Sequence, residues 1–267
     1  MHLNFNFSAV QILWTLTFAS ILVLLVVLLG RDRARTYPWF TASIVLIGFR
    51  LLASRMLFER LAPIPANILF LSLALLAGLI GLLVLVELAR HAFKGASQRA
   101  WAISTLVLLA LAGVVLGFWG AWPAWKAITF DTVLAKLHFM QFVTQKLDLL
   151  VDMLTIGLGV LIVATGRRFA AGFRSHTQQI IIGLSTVALA QTAVRAIWQQ
   201  IATHTVPTSE ADYQRILGLQ EKLYNGSSAI FVLVLIWWIV CLWNNEPGAR
   251  TRTAPEVQDD ATASHEA

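Results

Sequence analysis

Cysteine is almost absent from this sequence of 267 residues, in which Cys241 is the only one. A single thiol cannot form an intrachain disulfide, nor can it supply the sulfur ligands of a cysteine-cluster metal site. The sequence also lacks the HExxH motif of metalloproteases, the GxSxG motif of serine hydrolases and the glycine-rich loops that hold phosphates. We therefore expect no catalytic site, no bound metal and no enzymatic activity.

Charged residues are scarce as well, at 13% of the chain, whereas 58% of the residues are hydrophobic and the mean hydropathy is +0.72. A soluble core cannot accommodate so much apolar surface. Seven apolar stretches approach the length of about 20 residues that a helix needs to cross a bilayer. They cover residues 8–29, 38–58, 66–88, 100–121, 141–164, 178–200 and 227–244. None alternates as a barrel strand does, so the sequence predicts an all-α polytopic bundle of seven transmembrane helices.

Basic residues are frequent in every second link between these stretches, and the other links balance them with acidic residues. The frequent set comprises Arg31, Arg33, Arg35, Arg90, Lys94, Arg99, Arg167, Arg168, Arg174, Arg250 and Arg252. The positive-inside rule places this set in the cytoplasm, so we expect the N-terminus outside and the C-terminus in the cytoplasm. The net charge of +6 then reflects orientation and contact with the lipid bilayer, not nucleic acid binding.

The chain divides into a transmembrane domain, 1–245, and a tail, 246–267, that is rich in Ala, Thr and acidic residues. Because the tail has no apolar periodicity, we expect a disordered cytoplasmic segment. The outer links 121–141 and 203–226 are long, and each is expected to contain helical turns. These turns either lie on the membrane or extend the next helix outward. Ser209 is the predicted N-cap of such a helix.

Polar side chains inside the second, fifth and sixth stretches are the main clue to function. They lie at a similar depth, from the middle of the membrane towards its outer face, and comprise Arg50, Arg55, Lys146, Asp148, Asp152, Gln191 and Arg195. A charged residue at the centre of a membrane helix costs about 2.5 to 3.5 kcal/mol on insertion scales. Such residues therefore need a structural or functional reason to be there.

Two interpretations of these side chains are open. In the first, Arg50 and Arg195 pair with Asp148 and Asp152 and hold three helices in register. In the second, the side chains line a polar cavity that is open to the outside, where four basic groups against two carboxylates leave two surplus positive charges. That cavity would bind a small anionic or zwitterionic ligand, with the two arginines as carboxylate or phosphate forks.

No cofactor is expected. Retinal would need a lysine near the middle of a helix, usually the last, and the last stretch has none. Two facing haem ligands would need histidines within the bilayer, whereas His91 and His176 lie at the inner ends of their stretches. Glu87 and His91 are one helical turn apart, a spacing that favours an interfacial hydrogen bond over a metal site.

The run from Arg31 to Phe40, RDRARTYPWF, joins a basic link directly to a Tyr-Pro-aromatic start of the second helix. In this run the chain resembles uncharacterised bacterial seven-helix integral membrane proteins. In outline it also resembles the seven-helix sensory regions of some bacterial histidine kinases, without the kinase. The resemblance implies a bacterial cytoplasmic (inner) membrane protein, and it carries no activity or site residue across.

We expect a sensory, receptor-like or scaffolding role with a cytoplasmic signalling partner. The alternative is a small secondary transporter, coupled to protons or ions. Transporters often consist of paired inverted halves with Gly- or Pro-broken helices at the membrane midplane. Seven helices cannot be divided evenly, and Pro63, Pro65, Pro123 and Pro207 all fall in outer links. The sequence therefore favours the sensor.

Overall fold

The computed structural model describes residues 8–57, 60–93, 98–119, 122, 130–165, 175–204 and 209–244, and these residues form eight α-helices and no strand. The helices are α1 (Ala9–Gly30), α2 (Arg33–Thr36), α3 (Pro38–Leu57), α4 (Pro63–Ala92), α5 (Gln98–Phe118), α6 (Val133–Thr165), α7 (His176–His204) and α8 (Glu210–Trp243). The all-α prediction is confirmed for this part of the chain.

Six helices, namely α1, α3, α4, α6, α7 and α8, are long and apolar enough to cross a bilayer. The protein is therefore a multi-pass membrane protein with helices that contact lipid. The predicted span 100–121 corresponds to α5, but the apolar stretch described there, Ala102–Phe118, is shorter than the other six. The seventh crossing stays a prediction.

Four helices, α1, α3, α4 and α8, begin either with a capping side chain that accepts a hydrogen bond from a free backbone N–H or with a proline, which has no N–H. Ser8 caps α1 in a reciprocal box with Gln11, and α3 and α4 begin with proline. The predicted N-cap at Ser209 is confirmed, because its side chain accepts a hydrogen bond from the Asp212 N–H at 3.2 Å. α8 then continues unbroken for 34 residues, about 50 Å at 1.5 Å per residue. Of the two arrangements expected for this link, it is therefore the extension of the next helix that forms.

The six long helices pack as a ring in the order α1, α3, α4, α6, α7, α8, with α8 closing against α1. α5 packs along α6 on the outside of this ring. We call the end with the C-termini of α1, α4 and α8 and the N-termini of α3 and α7 the basic end, because Arg31, Arg33, Arg35 and Arg90 lie there. The opposite end is the cavity end.

A hydrophobic core fills the ring at the basic end. Its most buried members, each at most 1% exposed, come from α1, α3, α4, α7 and α8 and comprise Ile21, Leu24, Leu28, Phe40, Ile44, Leu88, Ile180, Ile181, Leu235, Trp238 and Leu242. The indole N–H of Trp238 donates to the Gln179 carbonyl oxygen at 3.2 Å, so this deep tryptophan is satisfied within the protein. The basic end is therefore closed, whereas polar side chains occupy the interior at the cavity end.

Several predictions lie outside the described residues. They are the tail 246–267 and six residues of the basic set, Lys94, Arg167, Arg168, Arg174, Arg250 and Arg252. The orientation of the chain in the membrane, which depends on them, stays a prediction. The basic residues that are described on this side, such as Arg31 and Arg90, all lie at the basic end.

Candidate functional site: a charged cavity inside the ring

The polar side chains predicted on the second, fifth and sixth spans meet in a cavity of about 370 Å³ between α3, α4, α6 and α7. We call it the charged cavity. It is lined by five of the seven predicted site residues, namely Arg50, Asp148, Asp152, Gln191 and Arg195. Asp148 and Asp152 share one face of α6, and Gln191 and Arg195 share one face of α7, because residues four apart lie above one another on a helix.

Small residues on α4 make room for the cavity. Ala77, Gly78 and Gly81 form its wall on this side. A Cβ atom added at Gly78 would lie 2.5 Å from Leu147, and one added at Gly81 would lie 3.0 Å from Val151. The two glycines therefore let α4 and α6 approach closely beside the charged groups, while larger apolar residues close the cavity towards the core.

Arg195 and Asp152 form an ion pair that joins α7 to α6. The guanidinium Nη1 donates to Asp152 Oδ2 at 2.7 Å. The Asp152 side chain is only 12% exposed, and that of Arg195 is 35% exposed. This pair fulfils part of the structural interpretation, in which charges hold the helices in register.

Arg50 and Asp148 behave differently. Within the described part of the chain, neither makes a hydrogen bond or an ion pair. Both nevertheless face the charged cavity, and Asp148 lies close enough to Arg50 and Arg195 to interact electrostatically with each. The cavity thus contains a guanidinium and a carboxylate whose hydrogen-bonding capacity is unused by the described residues.

Arg55 lies away from these groups. It lines a separate cleft against α1, together with Gln11, Trp14 and Thr15. The position of Arg55 is five residues beyond Arg50, which turns its side chain about 140° around α3. The structure therefore does not bring Arg55 into the charged cavity.

Lys146 also lies elsewhere, at the end of α5. Its ammonium group donates to the carbonyl oxygens of Trp119 at 2.6 Å and Leu116 at 3.3 Å. It also lies 4.6 Å from the ring centre of Trp122. A cation is favourable at a helix C-terminus, where carbonyl oxygens lack partners, so Lys146 caps α5 and holds it against α6.

The formal charge of the charged cavity follows from these placements. Arg50 and Arg195 contribute two positive charges, and Asp148 and Asp152 contribute two negative charges. The surplus of positive charge expected from the sequence included Arg55 and Lys146, which lie outside. The cavity is balanced instead, and it presents groups of both signs.

No protein-family model, curated protein or solved structure matches the chain. The resemblance based on RDRARTYPWF accordingly stays a prediction. The chemistry of the charged cavity rests on its own residues.

Sequence reasoning missed the hydroxyl groups that line the cavity, Ser43 and Thr155. Both are already satisfied, because Ser43 donates to the Phe40 carbonyl oxygen and Thr155 donates to that of Val151. The signal for them was their spacing from charged residues on the same helix face, since Thr155 lies three positions from Asp152 and Ser43 lies seven positions from Arg50. Among the described residues, no group of three or more His, Cys, Asp and Glu side chains is placed to hold a metal ion.

A second polar cluster lies at the basic end. The buried carboxylate of Glu87 accepts hydrogen bonds from the backbone N–H groups of Trp39 at 3.2 Å and Phe40 at 3.0 Å. Glu87 thereby caps the N-terminus of α3 from α4, where a negative charge is favoured by the helix dipole. The Nδ1 atom of His91 lies 2.9 Å from the backbone oxygen of Glu87. The predicted contact between these two residues therefore involves the main chain of Glu87.

Tyr37 extends this cluster to α7. Its hydroxyl group lies 2.7 Å from that of Thr177, and its ring centre lies 5.3 Å from that of His91. α3, α4 and α7 are thus tied together at the basic end by polar contacts. The same three helices carry part of the charged cavity nearer the opposite end.

Proposed function

We propose that the protein is a receptor-like protein of the bacterial cytoplasmic membrane that binds a small zwitterionic ligand in the charged cavity. One observation carries the proposal. A guanidinium, Arg50, and a carboxylate, Asp148, face the same cavity without partners among the described residues. A ligand with one carboxylate and one ammonium group would pair with both.

The expected contacts follow from the chemistry of each side chain. The planar guanidinium of Arg50 offers two parallel N–H donors to the carboxylate of the ligand. The carboxylate of Asp148 accepts hydrogen bonds from the ammonium group. The ion pair between Arg195 and Asp152 supports this arrangement by fixing α6 against α7, so that Asp148 is held in place.

A purely structural role explains two of the four charged residues in the cavity. The pair between Arg195 and Asp152 joins two helices, and removing either partner would strand the other. Arg50 and Asp148 interact electrostatically, but among the described residues neither forms a hydrogen bond or an ion pair, and their insertion into the membrane is costly. A ligand that hydrogen-bonds to both groups would add to this electrostatic compensation. A balanced cavity also favours a zwitterion over the purely anionic ligand that remained open from the sequence.

We place the cavity end outside and the basic end in the cytoplasm, following the positive-inside rule. The ligand then enters from outside, and the hydrophobic core closes the ring below it. Ligand binding would draw α3 towards α6 through Arg50 and Asp148. Because Glu87 and Tyr37 tie α3 to α4 and α7 at the basic end, a shift of α3 would be passed to a cytoplasmic signalling partner there.

A transporter remains the competing function. Carriers expose their site to both sides in turn, whereas the packed core separates the charged cavity from the basic end. A receptor and one state of a carrier share this closed arrangement, so transport has to be measured. Uptake of a bound radiolabelled zwitterion into proteoliposomes would instead support a transporter.

Binding to the full chain in lipid nanodiscs tests the proposal, with isothermal titration calorimetry as the measurement. The probes are glycine and L-leucine as zwitterions, propionate as an anion and ethylamine as a cation. We expect a zwitterion to bind more tightly than either single-charge probe, and we expect Arg50→Gln and Asp148→Asn to abolish its binding.

Arg55→Gln is the matched control, because it makes the same chemical change on the same helix outside the cavity. Wild-type affinity in Arg50→Gln and Asp148→Asn would overturn the proposal. Failure of every zwitterion to bind the wild-type protein would do the same.

A further inference from the structure

A second cavity, of about 430 Å³, adjoins the charged cavity inside the ring. It lies between α1, α3 and α8, with Phe70 of α4 at its edge, and we call it the aromatic cavity. Arg50 and Ile47 line both cavities. Both cavities therefore border one face of α3, and a molecule that pairs with Arg50 would lie at their boundary.

The two compartments differ in chemistry. The charged cavity contains both aspartates and Arg195, whereas the aromatic cavity is lined by Trp14, Phe70 and Phe231, by aliphatic residues and by the uncharged polar residues Thr17, Ser54, Asn225 and Ser228. Arg50 is the only charged residue among the described residues of its lining. The wall formed by the aromatic residues therefore favours an apolar group.

The hydroxyl groups in the aromatic cavity are largely satisfied by their own helices. Thr17 donates to the Leu13 carbonyl oxygen at 2.7 Å, and Ser54 donates to that of Leu51 at 2.8 Å. A hydroxyl group that already donates a hydrogen bond needs no donor or acceptor from a ligand, so these two hydroxyl groups are compatible with an apolar ligand group. Asn225 and Ser228 of α8 retain unused polar groups at this cavity, as far as the described residues extend.

We infer that the ligand is a zwitterion with a bulky apolar or aromatic side chain, of the kind found in large hydrophobic amino acids. Its charged groups occupy the charged cavity, and its side chain passes Arg50 into the aromatic cavity. The inference rests on the proposed function, and it adds the ligand class and a specificity site. In particular, Trp14, Phe70 and Phe231 select for the size and aromatic character of the side chain.

The occupant is the side chain of the bound zwitterion because Arg50 belongs to both cavities. A carboxylate paired with the guanidinium of Arg50 fixes the rest of the molecule within a few ångströms. The two cavities share Arg50 and Ile47, so the aromatic cavity is the adjoining apolar space for that side chain. A small zwitterion such as glycine would leave this space unused.

Binding of glycine, L-leucine and L-phenylalanine to the full chain in nanodiscs tests the inference. We expect L-phenylalanine to bind at least about tenfold more tightly than glycine, because burial of one large apolar side chain is worth about a factor of ten or more. Ser228→Leu and Ser54→Leu, which fill the aromatic cavity from α8 and from α3, should each weaken binding of L-phenylalanine about tenfold. Neither should weaken the binding of glycine to a comparable extent.

Ser227→Leu is the matched control for Ser228→Leu, because it adds the same side chain one position away and outside the lining. Equal affinities for glycine and L-phenylalanine would overturn the inference while leaving the proposed function intact. So would unchanged selectivity in both filling variants. If no zwitterion binds the wild-type protein, the proposed function fails, and this inference fails with it.

Discussion

The carboxylate of Glu87 on α4 accepts a hydrogen bond from the backbone N–H of Phe40, at the start of α3, at 3.0 Å. Pro38 begins this helix without an N–H group, so Glu87 satisfies the first free donors, those of Trp39 and Phe40. One side chain thus fixes where α3 begins and how it meets α4.

Glu87→Ala should lower the free energy of unfolding by about 2 kcal/mol, because the buried N–H of Phe40 and the partly buried N–H of Trp39 lose their acceptor. Unfolding of the purified protein by SDS in mixed micelles measures the change. Glu221→Ala on the exposed, polar part of α8 is the control and should change stability by less than about 0.5 kcal/mol. Equal stability of Glu87→Ala and the wild type would show that the cap contributes nothing.

The ion pair between Arg195 and Asp152 should appear as a coupling in a double-mutant cycle. We expect Arg195→Gln and Asp152→Asn to show a coupling energy of about 1 to 2 kcal/mol, since the two side chains are in direct contact at 2.7 Å. The same SDS unfolding assay measures it. A cycle of Arg55→Gln with Asp152→Asn serves as the comparison and should give a coupling near zero. Additive effects of Arg195→Gln and Asp152→Asn would contradict the pairing.

Much of the fold could be predicted from hydropathy, since six of the seven predicted spans are helices that can cross a bilayer. Ser209 was also identifiable, because an N-cap uses a side chain adjacent to the helix it caps. The capping of α3 by Glu87 was not, because the carboxylate and the Phe40 N–H are 47 positions apart. Only the packing of α4 against α3 brings them together.

The depth of the site residues along their helices could be predicted from the sequence, but the direction in which each side chain points could be predicted only in part. Arg50, Asp148 and Arg195 lie at similar depths and face one cavity, as the sequence indicated. Lys146 lies at nearly the same depth as Asp148 but only two positions from it, and such residues point to nearly opposite sides of a helix. The spacing between Lys146 and Asp148 therefore indicated that Lys146 faces away from the cavity. A count of the charges alone did not show this.

Gly183 of α7 determines how closely α8 packs. A Cβ atom at this position would collide with the indole of Trp238, which donates to Gln179 and packs edge-on against Phe40 at 5.1 Å between ring centres. Gly183→Ala should therefore destabilise the protein by about 1 to 3 kcal/mol, because the buried indole has to shift. Thermal unfolding followed by tryptophan fluorescence measures the effect.

Gly113→Ala on α5 is the matched control for Gly183→Ala. A Cβ atom there meets nothing within 4 Å, so the substitution should leave stability unchanged or raise it by up to about 1 kcal/mol through helix propensity. Equal stabilities of the two variants would mean that Trp238 accommodates the methyl group without cost.

The proposed orientation can be tested because Cys241 is the only cysteine. In a Cys241→Ser background, Ala211→Cys at the cavity end should react with a membrane-impermeant maleimide on intact cells. Thr36→Cys at the basic end should react only after the membrane is permeabilised. Both positions are exposed, and neither substitution removes a basic residue. The reverse pattern of labelling would invert the orientation and place the charged cavity towards the cytoplasm.

The same background tests whether α5 crosses the membrane. Val133 is exposed at the start of α6, directly after the link from α5, and lies at the cavity end of the bundle. If α5 crosses, Val133→Cys should be labelled from outside, as Ala211→Cys is, because the chain has then returned to the outer face before α6 begins. If Ala211→Cys is labelled from outside, labelling of Val133→Cys only after permeabilisation would place the link between α5 and α6 in the cytoplasm. α5 would then not cross, because the end of α4 and the start of α6 would be on the same side.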